Sequence, residues 1–127
     1  MIKLNKKILL VEDDKDLLFL MSKKLTDAGF DVVTSETGSD ALERIVKDKP
    51  ELVLLDILLP DIDGLTVLNE ISKNPETKDL PVIILSNLAD QGSLDQAAAI
   101  GKYEYLIKAK TDLNEVVKHV KRKINTS

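Results

Sequence analysis

Short apolar runs alternate with amphipathic stretches along the whole chain, and this alternation is what most constrains the fold. The runs predict strands at Ile8–Val11, Asp31–Ser35, Leu52–Leu55, Val82–Leu85 and Tyr103–Ile107. The stretches that follow them have apolar residues at helical spacing and predict helices over Asp14–Ala28, Ser39–Lys47, Leu65–Lys73, Ser93–Ile100 and Thr111–Ile124. Strands that alternate with helices in this way form a parallel sheet through right-handed crossovers. We therefore expect an α/β, doubly wound, flavodoxin-like fold with strand order 2-1-3-4-5 and helices on both faces of the sheet.

The composition agrees with one globular domain. The chain has 127 residues, of which 43% are hydrophobic and 31% charged, so we expect a single domain over residues 1–127. The net charge of −4 argues against a nucleic-acid partner for this chain alone, and the lack of cysteine excludes disulfides and thiolate metal sites. The apolar run near the N-terminus is too short for a signal peptide or a membrane span, so we expect a cytoplasmic protein with no membrane contact.

Chemically active side chains follow the predicted strands at their carboxyl ends. Glu12 and Asp13 come after the first strand, Asp56 after the third, Ser86 after the fourth and Lys108 after the fifth. In a doubly wound sheet, ligands bind beyond the carboxyl ends of the strands, where the strand order reverses. The first and third strands flank that point, so we expect their carboxylates to share one pocket with the hydroxyl and the ammonium.

This set of groups predicts phosphoryl chemistry at Asp56. Three carboxylates and one ammonium leave a charge of −2, and a site of oxygen ligands with that charge favours Mg²⁺ or another hard cation. A phosphoryl group could then approach Asp56, which would act as a nucleophile. Positioning and charge neutralisation are the main aids to such a transfer, and Lys108 and Ser86 could hold the phosphoryl oxygens.

Several segments together resemble the receiver domain of bacterial response regulators, in the form of a single domain like the chemotaxis regulator. "ILLVEDD" is similar to the acidic pair after the first strand of that family, and "LLDILLPDIDG" to its phosphoacceptor segment. "PVIILSNLAD" resembles the segment that carries the switch hydroxyl, and "YLIK" the segment with the switch aromatic residue and the lysine. The resemblance covers nearly the whole chain, and its specificity comes from the order of these segments, each after the right strand.

The resemblance implies a phosphoprotein of two-component signalling or of a phosphorelay. Asp56 would take a phosphoryl group from a histidine kinase or from a histidine phosphotransfer protein. Mg²⁺ would be bound by Asp13, Asp56 and the backbone carbonyl of Leu58, with Glu12 assisting through water. The chain would not be an enzyme, because it would transfer the group only to its own aspartate and release it slowly.

The resemblance also implies a switch and a partner surface. Ser86 would move toward the phosphoryl group and Tyr105 would turn inward, which would reshape the face formed by the fourth helix, fifth strand and fifth helix. A downstream protein would bind that face, and a phosphorylation-dependent homodimer is a further expectation. Leu58 and Leu88 would lie near the approach of the hydrolytic water, and since neither side chain can orient water, we expect a long-lived phosphoaspartate.

Some positions depart from the family pattern. Ala109 follows the lysine where proline is usual, and Asn87 follows the switch hydroxyl where a small residue is usual. Lys102 and Tyr103 stand where the family often has a small residue and an acid. Ser86 stands where threonine is commoner. A cis bond before a residue other than proline costs about 3–4 kcal/mol, so we expect a trans bond before Ala109.

Alternative functions share parts of this pattern. A flavin-binding flavodoxin-like module would have to hold phosphate in its first loop, and "VEDDKD" would repel phosphate. A phosphatase of the haloacid dehalogenase type would need a second acid two residues after Asp56, where this chain has Leu58. Within the receiver family, the chain could also be a receiver excised from a longer regulator. The few residues after the last helix are too short for an output domain, so we do not expect this chain to bind DNA by itself.

Other charged residues have simpler interpretations. Asp61 and Asp63 lie in "PDIDG", where we expect them to form a turn and a helix cap rather than a calcium site. His119 is the single histidine and has basic neighbours, so we expect it at a solvated position of the last helix.

Overall fold

A five-stranded parallel sheet forms the centre of the molecule in a computed structural model that describes residues 6–87, 91–101 and 103–125. The strands are β1 Lys7–Val11, β2 Asp31–Ser35, β3 Leu52–Leu55, β4 Val82–Ser86 and β5 Glu104–Ile107. They lie in the order β2-β1-β3-β4-β5, and every neighbouring pair is parallel. The predicted fold class and strand order are confirmed. Strand β5 begins one residue later than predicted, because its pairing with β4 starts at Glu104 rather than at Tyr103.

Helices cover both faces of this sheet. They are α1 Lys15–Asp27, α2 Gly38–Asp48, α3 Gly64–Lys73, α4 Gln91–Ile100 and α5 Leu113–Asn125, and a 3-10 turn occupies Lys108–Lys110. Helices α2, α3 and α4 pack on one face and contribute to one core cluster, whereas α1 and α5 contribute to the other. Among the helices that the structure describes, none has both the length and the apolar composition that a membrane crossing requires.

Strand β3 explains the uninterrupted apolar run in the sequence. Val53 and Leu55 point into the cluster beneath α2, α3 and α4, whereas Leu52 and Leu54 point into the cluster beneath α1 and α5. All of them are buried, because β3 is the central strand and has helices on both faces. A strand in that position has no polar face, so alternation of polar and apolar residues is absent.

Helix α2 begins earlier than predicted. The sequence pattern placed its start at Ser39, but Thr37 is the N-cap and its hydroxyl accepts a hydrogen bond from the Asp40 amide at 3.1 Å. The carboxylate of Asp61 accepts hydrogen bonds from the amides of Gly38 at 2.8 Å and Ser39 at 3.0 Å. These acceptors satisfy the first amides of the helix, which have no partner within it.

Candidate functional site

The acid pocket consists of Glu12, Asp13 and Asp56 at the carboxyl edge of the sheet. Val11 of β1 pairs with Leu55 of β3, so the residues that follow these two strands are neighbours. The amide of Asp56 donates a hydrogen bond to the carbonyl of Val11 at 3.2 Å, which continues this pairing by one residue. Each acid offers one carboxylate oxygen within 4.8 Å of the others. The structure thus brings together the three acids that the sequence placed in one pocket.

Two of these acids are buried and depend on Lys108. Glu12 is 3% exposed and Asp56 is 5% exposed, whereas Asp13 is exposed to solvent. The Lys108 ammonium lies 2.6 Å from a Glu12 oxygen and 2.7 Å from an Asp56 oxygen. Backbone amides complete the contacts, since Asp14 donates to Glu12 at 3.1 Å and Leu58 donates to Asp56 at 3.3 Å. Buried charges need such partners, so Lys108 is required to compensate the charges of Glu12 and Asp56.

The ionisation of this pocket reflects burial and mutual repulsion. Burial raises the pKa of Glu12, and the nearby charge of Asp56 raises it further, against the opposing effect of the Lys108 hydrogen bond. Burial by itself would lower the pKa of Lys108, but hydrogen bonds and charge from Asp56 and Glu12 outweigh burial and raise it. The pocket therefore favours the charged form of Lys108 and disfavours the ionised form of Glu12.

The donor set fits a hard divalent cation. All candidate ligands are carboxylate oxygens that converge within 4.8 Å, and the exposed Asp13 opens the group to solvent. Oxygen ligands of this kind suit Mg²⁺, which retains several waters and needs only a few protein ligands. Lys108 now neutralises part of the charge that a cation would also neutralise.

Ser86 and Tyr105 lie on the strands next to the pocket. Ser86 closes β4, which neighbours β3, and its side chain is fully buried at the same edge of the sheet as Asp56. Tyr105 pairs with Ile84 in the middle of β5, and it is partly buried against the core beneath α4. The structure therefore places both predicted switch residues on strands that connect the pocket to the α4 side.

The lysine turn (Lys108–Lys110) delivers the ammonium to the pocket. It follows β5 directly, and Ile107 at the end of β5 pairs with Ser86 at the end of β4. No cis peptide bond occurs among the described residues, so the predicted trans bond before Ala109 is confirmed. The Ala109 amide donates a hydrogen bond to the Asn87 side-chain oxygen at 3.0 Å, a contact that sequence reasoning missed.

The loop after Asp56 is shaped by a glycine and two acids. A Cβ atom at Gly64 would lie 2.3 Å from the Asp56 carbonyl oxygen, so glycine alone allows α3 to start this close to the acid pocket. Asp63 caps α3 through the Thr66 amide at 2.8 Å, and Asp61 caps α2. The predicted turn and cap roles of Asp61 and Asp63 are confirmed.

Of the two residues predicted to exclude water, Leu58 belongs to the described part of the chain and Leu88 does not. Leu58 is 58% exposed and lies just after Asp56, where its amide contacts that carboxylate. Leu88 lies outside the described residues, so its position relative to the pocket stays a prediction.

The expectation for His119 is wrong. Its side chain is partly buried rather than solvated, and Nδ1 faces the carboxylate of Glu104. Helix α5 packs on the sheet through Val116 and Val120, which turns His119 toward the edge strand β5. The pairing joins a helix to a strand at a distance in sequence, so the basic neighbours of His119 gave no indication of it.

The response regulator receiver domain family model matches residues 8–121 of this chain. The chain belongs to this family. Receiver domains are in general phosphoacceptors rather than enzymes, and magnesium and phosphorylation are typical of them. Receiver domains bind Mg²⁺ at an acidic pocket, and the cluster of Glu12, Asp13 and Asp56 could hold such an ion.

Individual relatives and solved structures agree with the receiver family. The response regulator PleD of Caulobacter vibrioides is 32% identical over 107 residues, which are 84% of this chain and 24% of PleD. The BeF3-activated N-terminal receiver domain of Klebsiella pneumoniae RstA has a TM-score of 0.84 at 30% identity, covering 93% of this chain and 97% of that one. The phosphorylated cyanobacterial phytochrome response regulator RcpA has a TM-score of 0.84 at 28% identity, covering 97% and 96%.

Curated relatives of this receiver are longer proteins. The chain spans 24% of PleD and 50% of the Bacillus subtilis regulator PhoP. The similarity therefore establishes the receiver family but does not extend to the activities of the longer relatives.

Proposed function

We propose that Asp56 accepts a phosphoryl group from a phosphohistidine and that the chain then switches a protein-binding face. The observation that carries this proposal is the buried Asp56 carboxylate, which directly follows the central strand beside Glu12 and Asp13 and contacts Lys108 at 2.7 Å. A carboxylate held this way is positioned, lies beside the exposed Asp13 and is already paired with a cation that can serve a second anion.

The transfer would proceed through the side chains that meet at the sheet edge. An Asp56 oxygen attacks phosphorus, the nitrogen–phosphorus bond of the donor histidine breaks, and the histidine nitrogen retains the electron pair. The Lys108 ammonium is close enough to shift its hydrogen bonds from the carboxylates to phosphoryl oxygens. The Ser86 hydroxyl would donate to another phosphoryl oxygen, since Ser86 closes the strand next to β3.

The metal belongs to the same proposal. Asp13, Asp56 and the backbone carbonyl of Leu58 would hold Mg²⁺, and Glu12 would contribute through water. When bound, the ion would neutralise the charge of the acids and of the incoming phosphoryl group.

The phosphate donor would be a histidine kinase or a histidine phosphotransfer protein. Phe19 and Leu20 on α1 are 69% and 50% exposed, and α1 begins directly after the acid pocket. Exposed apolar side chains on the helix that follows the acid pocket are suited to a protein donor, which must bring its own histidine to Asp56. No nucleic acid and no membrane enters this proposal, and its setting is the cytoplasm.

A downstream protein would bind the output face, which α4, β5 and α5 form. A surface depression between α4 and β5 is lined by Leu94, Ala97 and Tyr105, so an inward turn of this tyrosine would change its shape. Phosphorylation adds strong acceptors beside Ser86, which would shift a pre-existing equilibrium between two shapes of this face. The same shift could favour a homodimer. Ser86→Ala should keep phosphorylation and lose the difference in partner affinity between the two forms.

Intact-mass measurement after incubation with acetyl phosphate and Mg²⁺ tests the phosphoacceptor. We expect one added phosphoryl group in the wild type and none in Asp56→Asn. Asp16→Asn is the matched control, because Asp16 lies in the exposed first turn of α1 and should leave the adduct intact. A chain that gains no adduct from acetyl phosphate or from phosphohistidine donors would contradict the proposal.

The lifetime of the phosphoaspartate tests the role of the exposed Leu58. Its side chain offers no group that could orient water for attack on phosphorus, so autodephosphorylation should be slow. The decay of labelled phosphoprotein in Leu58→Asn should be faster than in the wild type. Equal decay would show that access at this rim does not set the lifetime.

A second possibility concerns the context of the domain rather than its chemistry. The relatives PleD and PhoP are two to four times longer than the matched region, which favours a receiver that is part of a longer regulator. Mass measurement of the natural gene product would distinguish a stand-alone receiver from an excised one.

A further inference from the structure

Asn87 connects the end of β4 to the turn that carries the pocket lysine. Its side-chain oxygen accepts a hydrogen bond from the Ala109 amide at 3.0 Å. The register explains this contact, because Ser86 pairs with Ile107 and the residues that follow each strand are therefore adjacent. Asn87 thus contacts the peptide unit that joins Lys108 to Ala109.

We propose that Asn87 is a positioning residue for Lys108 and that it couples the lysine turn to Ser86. This proposal rests on the proposed phosphoryl transfer to Asp56 and adds a residue outside the set expected to bind the metal or the phosphoryl group. Asn87 acts through the backbone of the turn, by fixing where the lysine side chain starts.

The lysine needs such a constraint because its side chain is long and flexible. Its ammonium must stay 2.6 Å from Glu12 and 2.7 Å from Asp56, although four methylene groups separate it from the backbone. The turn itself is only three residues long, and the hydrogen bond from the Thr111 amide to the Lys108 carbonyl is 3.3 Å. The side-chain acceptor of Asn87, directly after β4, adds a second point of attachment that joins this turn to the sheet.

The contact exists because residue 109 has a backbone N–H. Proline at this position would lack the donor, and the Asn87 oxygen would then lose its partner. The two departures from the receiver pattern that the sequence showed, at positions 87 and 109, therefore meet in one hydrogen bond. Asn87 has an amide to accept from because residue 109 is not proline, and the Ala109 amide has a side-chain acceptor because residue 87 is asparagine.

The coupling has a direction. Ser86 and Asn87 share a peptide bond, so a movement of Ser86 toward a phosphoryl oxygen displaces the acceptor of the Ala109 amide. The lysine turn must then follow Ser86 or release the hydrogen bond. In either case the environment of the Ala109 amide changes on phosphorylation, which makes this amide a direct reporter.

A double-mutant cycle with Asn87→Leu and Ala109→Pro tests the proposal. Leucine matches asparagine in size and lacks the acceptor, and proline removes the donor. The rate of phosphorylation by acetyl phosphate with Mg²⁺ should fall about threefold to tenfold in each single variant, the range expected for one hydrogen bond. The double variant should be no slower than the slower single variant, because both changes remove the same contact. Effects that multiply would overturn the proposal.

Amide hydrogen exchange at Ala109 gives a second measurement that does not depend on proline. Exchange should be faster in Asn87→Leu than in the wild type, and Asn87→Asp, which keeps an acceptor, should restore the protection. Asn114→Leu is the control, because Asn114 is an exposed asparagine of α5 that contacts Lys24 instead. Equal exchange in the wild type and Asn87→Leu would overturn the proposal.

These outcomes separate the two proposals. A wild-type chain that is never phosphorylated would contradict the role of Asp56, whatever the exchange at Ala109. A wild-type chain that is phosphorylated, with independent effects at positions 87 and 109, would contradict only the positioning role of Asn87.

Discussion

Glu12 and Asp61 are both acids in loops at the carboxyl edge of the sheet, yet their pKa values shift in opposite directions. Burial raises the pKa of Glu12, with a further contribution from the charge of Asp56. The pKa of Asp61 lies well below its usual range, because the Ser39 hydroxyl and the first amides of α2 donate to its carboxylate. Donors that point at a carboxylate favour its ionised form, whereas burial beside another acid disfavours it.

The difference separates a carboxylate whose ionised form the fold favours from one whose ionised form the fold disfavours. Asp61 is ionised where a helix begins, so its charge supports α2. Burial and repulsion oppose the ionised form of Glu12, and the Lys108 ammonium compensates its charge at 2.6 Å. Acids held at such a cost are characteristic of functional sites.

The largest effect should come from removing Lys108. Lys108→Met leaves Glu12 and Asp56 buried without their cation, and breaking a buried ion pair in this way costs about 3–5 kcal/mol. We expect a loss of that order in the free energy of unfolding at neutral pH, measured by urea denaturation. Arg44→Met is the control, since Arg44 is exposed, forms partly exposed ion pairs with Asp40 and Asp48 on α2 and should change stability by less than about 1 kcal/mol. Similar losses of unfolding free energy in Lys108→Met and Arg44→Met would show that the buried ion pairs contribute no more to stability than the surface pairs.

A smaller effect should follow from Asp61→Ala. The folded state lowers the pKa of Asp61 below its usual value of 3.8, so its contribution to stability is present above that pH and is lost as the pH falls below it. The wild type should therefore be more stable than the variant at neutral pH, and the gap should narrow on acidification. Urea denaturation between neutral and strongly acidic pH measures this gap, with Asp79→Ala in an exposed loop as the control. A gap that stays constant would assign the effect to packing rather than to charge.

The smallest effect, and one of opposite sign, should come from Glu12→Gln. The folded state raises the pKa of Glu12 above its usual value of 4.5, so the folded protein binds more protons than the unfolded chain and loses stability as the pH rises above that value. The variant lacks this loss, so the free energy of unfolding of the variant should increase relative to that of the wild type as the pH rises from acidic to neutral. Thermal denaturation across this pH range tests the sign. A wild type that gains on the variant as the pH rises would show that Lys108 more than compensates the buried charge.

Most of the fold could be predicted because it depends on patterns that are local or periodic. The buried run Leu52–Leu55 indicated a central strand, and the position of Asp56 after it followed from the geometry of parallel strands. The start of α2 was missed because it depends on Thr37 and on Asp61, which reaches the helix from another loop. Local patterns identify an acceptor but do not show which distant helix it will cap.

The site was predictable in its residues and less so in its contacts. Each residue at a strand end could be read from the sequence, and the sheet order brought Glu12, Asp13 and Asp56 together. The contacts of Asn87 with Ala109 and of His119 with Glu104 were not predicted. Both join segments that are remote in sequence, and their partners follow from how α5 and the lysine turn pack rather than from spacing.

The burial of β3 on both faces also determines which parts of the molecule can move. Amides of a central strand exchange with solvent mainly when the whole domain unfolds, whereas loops open far more often. Asp56 is attached to this strand by one peptide bond, and its own amide extends the pairing with β1. A phosphoryl group added to Asp56 would therefore be attached directly to a fully buried central strand. Any response to such a group would then have to come from the segments around β3 rather than from β3 itself.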